Sequence, residues 1–166
     1  MKLTADICDE NEDEIDNGSV QVLSIPLNIY GRRKHISGQV VTVKAFEDNS
    51  FVRKTLEEDG ENRILVVDGG GSRRCALMGG NLAVLAKENG WQGAIIFGCV
   101  RDSVELMDTD IGIWAVGTSP VKSKKANVGS INKPIKIENF SIKPGLFCVA
   151  DSDGVIFLKQ APWSSF

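Results

Sequence analysis

Two short stretches of the chain carry residue types that could together bind an anion and a divalent metal ion. The first is a pair of glycines, Gly79 and Gly80, placed just before an apolar helical pattern. The second is Arg101 followed directly by Asp102. Backbone N–H groups at a helix N-terminus and a guanidinium bind carboxylates or phosphates, and a neighbouring carboxylate can hold a divalent cation. The pattern thus predicts an anion site beside a metal site. The predicted amide donors belong to Gly79, Gly80, Asn81 and Leu82.

The elements around these stretches predict that the two meet in space. Residues 64–67 form an apolar, mostly β-branched run closed by glycines, which is typical of a strand buried on both faces. Asn81 is the predicted N-cap of a helix that stops at Gly90, and residues 94–97 form the next buried strand. In a parallel strand–helix–strand unit, the loop entering the helix and the loop leaving the second strand share one edge of the sheet. We therefore expect one crevice lined by both stretches. The predicted apolar face of the helix carries Leu82, Leu85 and Ala86.

Length and composition predict one globular domain covering residues 1–166, with 42% hydrophobic and 25% charged residues. No apolar run approaches the roughly 20 residues of a membrane span. The N-terminus lacks the apolar region of a secretory signal, so we expect a cytoplasmic protein without membrane contact. A net charge of −3 argues against direct nucleic-acid binding. The 4 cysteines are scattered without CxxC spacing, which favours buried reduced thiols over disulfides or a zinc site.

The remaining patterns predict a mixed α/β layered domain with an antiparallel C-terminal part. Residues 37–46 alternate as a strand does, and residues 48–50 offer caps for a helix ending near Gly60. Residues 103–107 form a brief helical turn that starts at Asp102, and residues 111–117 form a further strand. From residue 130 onward only strands and turns are indicated.

Near the start of the chain, Thr4 is a candidate cap for a short helix and is followed by a strongly acidic segment, residues 6–16. Two interpretations of the acidic segment stay open. It is either a solvated face, as most charge runs are, or a docking surface for a basic partner.

Three motifs suggest chemistry that their details exclude. The glycine triplet at residues 69–71 belongs to neither GxxxxGK[ST] nor GxGxxG, which argues against a nucleotide fold. Residues 151–154 (DSDG) resemble the start of a calcium loop, but VIFLKQ follows, so a tight hairpin turn is predicted. His35 is the only histidine, which argues against a Ser-His-Asp triad and a multi-histidine zinc site. Any metal here is therefore expected to be hard and oxygen-bound, Mg²⁺ or Mn²⁺.

Arg101 and Asp102 alone would be read as a surface ion pair, but their setting resembles a known family. The chain is similar to the RraA-like proteins, which comprise regulators of ribonuclease activity A and 4-hydroxy-4-methyl-2-oxoglutarate aldolases. The resemblance covers nearly the whole chain. It is carried by TADICD, SGQVVTVKAFEDN, RILVVDGGGSRRCAL, NGWQGAIIFGCVRD, DIGIWAVGTSPVK and ADSDGVI.

The resemblance implies a β/β/α swivelling-type layered domain that forms a homotrimer. It also implies a class II, metal-dependent aldolase that cleaves 4-hydroxy-4-methyl-2-oxoglutarate-type acids to pyruvate. Arg101 and the amides of residues 79–82 would bind the pyruvyl carboxylate, and Asp102 would coordinate Mg²⁺ or Mn²⁺. Glu105 would orient the metal's water molecules. The cation would polarise the 2-oxo group and stabilise the enolate, so oxaloacetate decarboxylation is expected as a second activity.

The resemblance leaves one alternative open, a non-catalytic regulator that binds and inhibits RNase E. Aldolases of the family carry Asp where this chain has Gly80, so this chain has one carboxylate fewer at the rim of the site, which favours the regulator. Ribonuclease-inhibiting members replace the acid of the Arg-Asp pair, whereas this chain retains Asp102. A protein that only binds a partner has no need of a metal-binding carboxylate, so retention favours catalysis.

Overall fold

The structure, a computed structural model, describes residues 1–163, and the predicted domain end at residue 166 lies outside that range. The helices are α1 (Thr4–Glu10), α2 (Glu12–Asp16), α3 (Ser50–Leu56), α4 (Gly80–Glu88) and α5 (Ser103–Asp108). The strands are β1 (Gln21–Val22), β2 (Asn28–Ile29), β3 (Ile36–Lys44), β4 (Ile64–Asp68), β5 (Ala76–Met78), β6 (Gly93–Val100), β7 (Gly112–Thr118), β8 (Ser130–Ile131), β9 (Ile135–Ile137), β10 (Phe140–Ile142), β11 (Phe147–Ala150) and β12 (Val155–Leu158).

A large mixed sheet with the order β1-β12-β11-β3-β4-β6-β7-β2 forms the centre of the molecule. Its middle strands β3, β4, β6 and β7 run parallel, and the short β5 also lies parallel to β6. The outer strands β11, β12, β1 and β2 are antiparallel to their neighbours, and β9 and β10 form a separate antiparallel hairpin. The predicted mixed α/β class and its antiparallel C-terminal part are confirmed.

Strand β4 shows why the sheet has a layer on each side. All of its residues are buried, and successive side chains point to opposite faces. Leu65 and Val67 belong to a cluster with residues of α3 and α4, whereas Ile64 and Val66 belong to a second cluster with Trp114. The second cluster also contains residues of β9, β10 and β12. The order of layers is therefore β/β/α, with a strand buried on both faces as predicted.

Four local features differ from the predictions. Strand β5 was not predicted; its three apolar residues are buried beside β6. Helix α3 ends at Leu56, and Gly60 lies beyond it against Trp91, whose backbone nitrogen would lie 2.5 Å from an added Cβ. Helix α4 already begins at Gly80 after an extended Gly79, so Asn81 lies inside the helix and is not its N-cap. Thr4 is the first residue of α1 and not its cap; its hydroxyl bonds Asp151.

The N-terminal helix is held on the antiparallel side of the sheet. Ile7 is buried in a third cluster with Val149, Ile156 and Leu158. Nearby, Asp151 accepts hydrogen bonds from the backbone N–H and the hydroxyl of Thr4, each 2.7 Å long. These contacts join the first helix to the hairpin turn between β11 and β12.

The structure also bears on the predictions about the cysteines and about membrane-spanning segments. Cys75, Cys99 and Cys148 are buried, as predicted for these thiols, whereas Cys8 is only partly buried. Within residues 1–163 we find no helix with the length and hydropathy that a membrane crossing requires.

Candidate functional site

The carboxyl ends of β5 and β6 meet, and this brings the two candidate stretches together. Met78, the last residue of β5, pairs with Val100, the last residue of β6. The backbone N–H of Arg101 donates to the carbonyl oxygen of Met78 over 3.0 Å. The diglycine bend follows one strand and the Arg-Asp pair follows the other. Both therefore lie at the same edge of the parallel sheet.

Asp102 turns the chain sharply from β6 into α5 and presents its carboxylate to the diglycine bend. Its backbone adopts the left-handed region, with φ 59° and ψ 44°, which Asp tolerates better than most residues. The carboxylate makes no capping bond to its own helix. Instead, Oδ2 accepts a hydrogen bond of 3.0 Å from the N–H of Gly80.

The two glycines leave room for three candidate site side chains. An added Cβ at Gly79 would lie 2.6 Å from Oδ2 of Asp102 and 3.2 Å from Cγ of Arg101. An added Cβ at Gly80 would lie 2.1 Å from Oε2 of Glu105. The backbone of Gly79 is extended at φ −138°, so its conformation does not require glycine. The close approach of Arg101, Asp102 and Glu105 is the reason that side chains are absent here.

The N–H groups of the diglycine bend are not all free. The N–H of Gly80 already donates to Asp102, so this amide, which was predicted to bind substrate, has an internal partner. Asn81 and Leu82 lie in the first turn of α4, where no preceding helical carbonyl reaches their N–H groups. These two amides, with that of Gly79, remain the candidate anion donors of the loop.

A cavity of about 100 Å³ opens beside these groups. Its lining is strongly cationic, with Asp102 as its acidic member. The lining residues are Asn49, Arg53, Ala76, Met78, Gly79, Asn81, Leu82, Arg101, Asp102, Lys122, Ser123 and Lys125. Larger cavities lie elsewhere, including one of about 460 Å³ against the N-terminal helices, but its lining combines no carboxylate with a glycine bend and an arginine.

No sequence pattern assigned Arg53, Lys122 or Lys125 to the site, and all three residues are exposed. A signal was present in the order of the strands. Val100 pairs with Thr118 in the parallel pair of β6 and β7, so the loop that follows β7 starts at the same edge as Arg101.

The donor set fits a hard divalent cation. Asp102 is exposed, and Gly80 is the hydrogen-bond donor that its carboxylate meets. Glu105 brings a second carboxylate close to Gly80. Within residues 1–163 no group of three or more His, Cys, Asp or Glu side chains is arranged to hold a metal. A cation here would take one or two carboxylates and keep several waters, which is how Mg²⁺ binds in many proteins.

The fold and the crevice define an α/β layered domain with an acidic and a cationic group side by side at the carboxyl edge of a parallel sheet. Comparison with known proteins agrees with this class. The chain belongs to the RraA-like family, described as Aldolase/RraA, which it matches over residues 4–157. The family resemblance found in the sequence is confirmed.

Individual relatives carry different functional names. A protein of Paraburkholderia phymatum named "Putative 4-hydroxy-4-methyl-2-oxoglutarate aldolase" is 48% identical over 159 residues, 96% of each chain. A solved structure from Geobacillus kaustophilus, described as an S-adenosylmethionine:2-dimethylmenaquinone methyltransferase, matches with TM-score 0.93 and 42% identity over 100% of this chain and 99% of that one. The RNA-processing inhibitor RraA of Thermus thermophilis matches with TM-score 0.91 and 40% identity over 98% and 95%. The fold alone therefore does not decide the activity.

Proposed function

We propose that this protein is a divalent-metal-dependent aldolase that cleaves 4-hydroxy-4-methyl-2-oxoglutarate-type acids to pyruvate and also decarboxylates oxaloacetate. The observation that carries the proposal is the packing of Arg101 and the Asp102 carboxylate on one residue, Gly79. An exposed carboxylate held beside a guanidinium and helix N-terminal amides suits a 2-oxo acid next to a hard cation. The names of aldolase relatives with 46–49% identity support the same activity.

Each residue has a distinct task in this proposal. Arg101 and the amides of Asn81 and Leu82 bind the carboxylate next to the 2-oxo group, because a guanidinium and helix N-terminal amides attract anions. Asp102 holds the cation, with its Oδ2 fixed by the N–H of Gly80. Glu105 lies against Gly80 and orients water at the edge of the site.

A bound Mg²⁺ or Mn²⁺ would polarise the 2-oxo group and favour the enolate that bond cleavage produces. The protein groups prepare the substrate for that step. The contacts of Arg101 and the two amides with its carboxylate restrict rotation and hold the bond that breaks perpendicular to the plane of the carbonyl, where its electrons can enter the π system. In retro-aldol cleavage the 4-hydroxyl gives its proton to the water that Glu105 orients, the C3–C4 bond breaks as the C4–O bond becomes a carbonyl, and the enolate takes up a proton at C3 to give pyruvate. In oxaloacetate the departing group is CO₂ and the same enolate forms.

The similarity to RraA supports a second candidate, a regulator that binds RNase E and modulates RNA decay. Asp102 favours the aldolase over this candidate. Its carboxylate is exposed and accepts one hydrogen bond, from Gly80, in a left-handed turn. A carboxylate kept available in this way has a use in metal binding that a surface for a protein partner does not need.

We also propose that the protein acts in the cytoplasm as a homotrimer with the crevice near a subunit boundary. Helix α5, which follows Asp102, exposes two large apolar side chains, Val104 at 69% and Met107 at 54%. Exposed apolar residues beside a site are suited to cover by a neighbouring subunit. The free thiols support a reducing compartment. Light scattering combined with size-exclusion chromatography measures the oligomeric state.

The proposed function is tested by pyruvate release from oxaloacetate with Mg²⁺, with and without a chelator. We expect metal-dependent turnover in the wild type and a loss of about 100-fold or more in Asp102→Asn, with thermal stability close to that of the wild type because Asn tolerates the left-handed backbone and can still accept the hydrogen bond from Gly80. A rate no higher than that of the same Mg²⁺ solution without protein contradicts the aldolase, because the free cation itself promotes some decarboxylation. Tight binding to RNase E together with that result establishes the regulator.

A further inference from the structure

The cavity beside Asp102 holds more positive charge than the proposed chemistry uses. Arg101 is assigned to the carboxylate next to the 2-oxo group, yet Arg53, Lys122 and Lys125 line the same cavity. Arg53 is engaged by Glu57, 3.2 Å from its Nε. Within residues 1–163, Lys122 and Lys125 form no salt bridge. Two unpaired ammonium groups thus face a space that already contains an anion-binding arginine.

The loop that carries these lysines is fixed on both sides. Next to Lys122, the carbonyl of Val121 accepts a hydrogen bond of 2.8 Å from the N–H of Ala76 in β5. Next to Lys125, the N–H of Lys124 donates to Glu47 over 2.9 Å, and the N–H of Ala126 donates to Asp48. The backbone is thereby tied to β5 and to the segment before α3. The lysines are held at the cavity by these bonds and are not on a loose loop.

A second substrate carboxylate is the ligand that this lining fits. A monocarboxylic 2-oxo acid offers one carboxylate, which Arg101 and the α4 amides already bind. The remaining cations can stabilise a further negative charge of the same bound acid, and the small size of the cavity, about 100 Å³, favours a short acid.

We propose that Lys122 and Lys125 bind the second carboxylate of the substrate and so make the site selective for 2-oxo dicarboxylates over monocarboxylates of the same shape. This inference rests on the proposed function, since it assigns the far end of the same substrate. Lys122 and Lys125 determine specificity in this proposal and play no part in bond cleavage.

A pair of substrates isolates the contribution of the second carboxylate. In 4-hydroxy-4-methyl-2-oxopentanoate a methyl group replaces one carboxylate of 4-hydroxy-4-methyl-2-oxoglutarate, and the bond that breaks is the same. Cleavage of the pentanoate yields pyruvate and acetone, whereas cleavage of the glutarate yields two molecules of pyruvate. We measure kcat/KM for both with Mg²⁺ in the wild type, Lys122→Met and Lys125→Met. Each replacement is expected to lower kcat/KM for the dicarboxylate by about 10- to 100-fold, the range of a charge-assisted contact, and to leave the monocarboxylate unchanged.

Lys124→Met is the matched control. Lys124 lies in the same exposed loop but does not line the cavity, and its contact with Glu47 uses the backbone N–H. We expect both kcat/KM values of this variant to stay within about twofold of the wild type, as for most surface charges.

The possible failures differ from one another. Wild-type cleavage of both substrates with equal kcat/KM, or an unchanged ratio in Lys122→Met and Lys125→Met, overturns the inference and leaves the aldolase in place. An equal fall for both substrates also overturns it, because the lysines would then serve the shared chemistry. Cleavage of neither substrate by the wild type removes the proposed function and the inference together.

Discussion

Two aspartates at strand ends, Asp102 after β6 and Asp151 after β11, have opposite surroundings. Asp151 is 5% exposed and accepts hydrogen bonds from both donors of Thr4 and from the N–H of Asp153. Asp102 is exposed and accepts one, from Gly80. A carboxylate surrounded by donors is committed to holding the fold together. One that has a single donor, beside an arginine, is available for a ligand.

The difference is also visible in the chain segments that each aspartate joins. Asp151 connects the first helix to the last hairpin, residues that are far apart in sequence. Asp102 connects two turns of one strand–helix–strand unit and leaves a cavity between them. Substitutions at the two places should therefore separate activity from stability.

Gly79→Ala is expected to have the largest effect on activity. Its Cβ would lie 2.6 Å from Oδ2 of Asp102, so the carboxylate must move, and displacements of this size can cost about 100-fold in rate. Stability should change little, because the displaced atoms are ends of side chains. Pyruvate release and thermal unfolding measure both.

Gly154→Ala is the control for Gly79→Ala, since nothing lies within 4 Å of its added Cβ. It should retain wild-type activity and stability. Wild-type turnover in Gly79→Ala would show that the position of Asp102 does not matter for the reaction.

Asp151→Asn should have the converse effect. An amide in place of the carboxylate loses charge-assisted bonds and turns an NH₂ toward donors, which costs about 2 kcal/mol or more and lowers Tm by several degrees. The kcat/KM of the folded protein should not change. The neighbouring exposed Asp153→Asn serves as the comparison, with an expected Tm equal to that of the wild type. A fall in kcat/KM for Asp151→Asn at a temperature where it is folded would contradict the division of roles.

The same contrast predicts a dependence of stability on pH. Burial opposes ionisation of Asp151, but hydrogen bonds from Thr4, Asp153 and Gly154 outweigh burial and hold its pKa below the ordinary value of 3.8. A lowered folded-state pKa means that the stabilisation is complete above the unfolded-state pKa and is lost as the pH falls below it. Urea unfolding between about pH 5 and pH 2 should show a steeper loss in the wild type than in Asp151→Asn. If the free energy of unfolding fell equally with pH in the wild type and in Asp151→Asn, Asp151 would not be the cause of the loss of stability in acid.

Thr4→Val is expected to have the smallest effect. It removes the hydroxyl bond to Asp151 but keeps the backbone N–H bond and the shape of the side chain. The loss should be about 1 kcal/mol in the free energy of unfolding, as for a single hydrogen bond. Thr4→Ser keeps the hydroxyl and should lie closer to the wild type in the same urea titration. Equal free energies of unfolding for Thr4→Val and the wild type would show that the hydroxyl bond to Asp151 does not stabilise the protein.

Much of the fold could be predicted from local pattern. The run at residues 64–67 and the alternation at residues 37–46 gave strands in the right places, because burial on one or both faces leaves a clear periodicity. Strand β5 has only three residues, too few for any period, and its pairing with β6 is a contact across the sheet. The start of α4 was misplaced for a related reason, since Gly79, which follows β5 directly, precedes the helix and has no cap side chain.

The sequence by itself determined the chemistry available to this protein: one histidine, scattered cysteines, an Arg-Asp pair and a diglycine bend predicted a hard metal beside an anion site. Only the tertiary structure decided which groups share a space. It placed Glu105 against Gly80 and gave the N–H of Gly80 to Asp102. It also brought Lys122 and Lys125 to the cavity. Residue types and local periodicity can be read along a chain, whereas proximity across a parallel sheet depends on strand order and register, which no local pattern encodes.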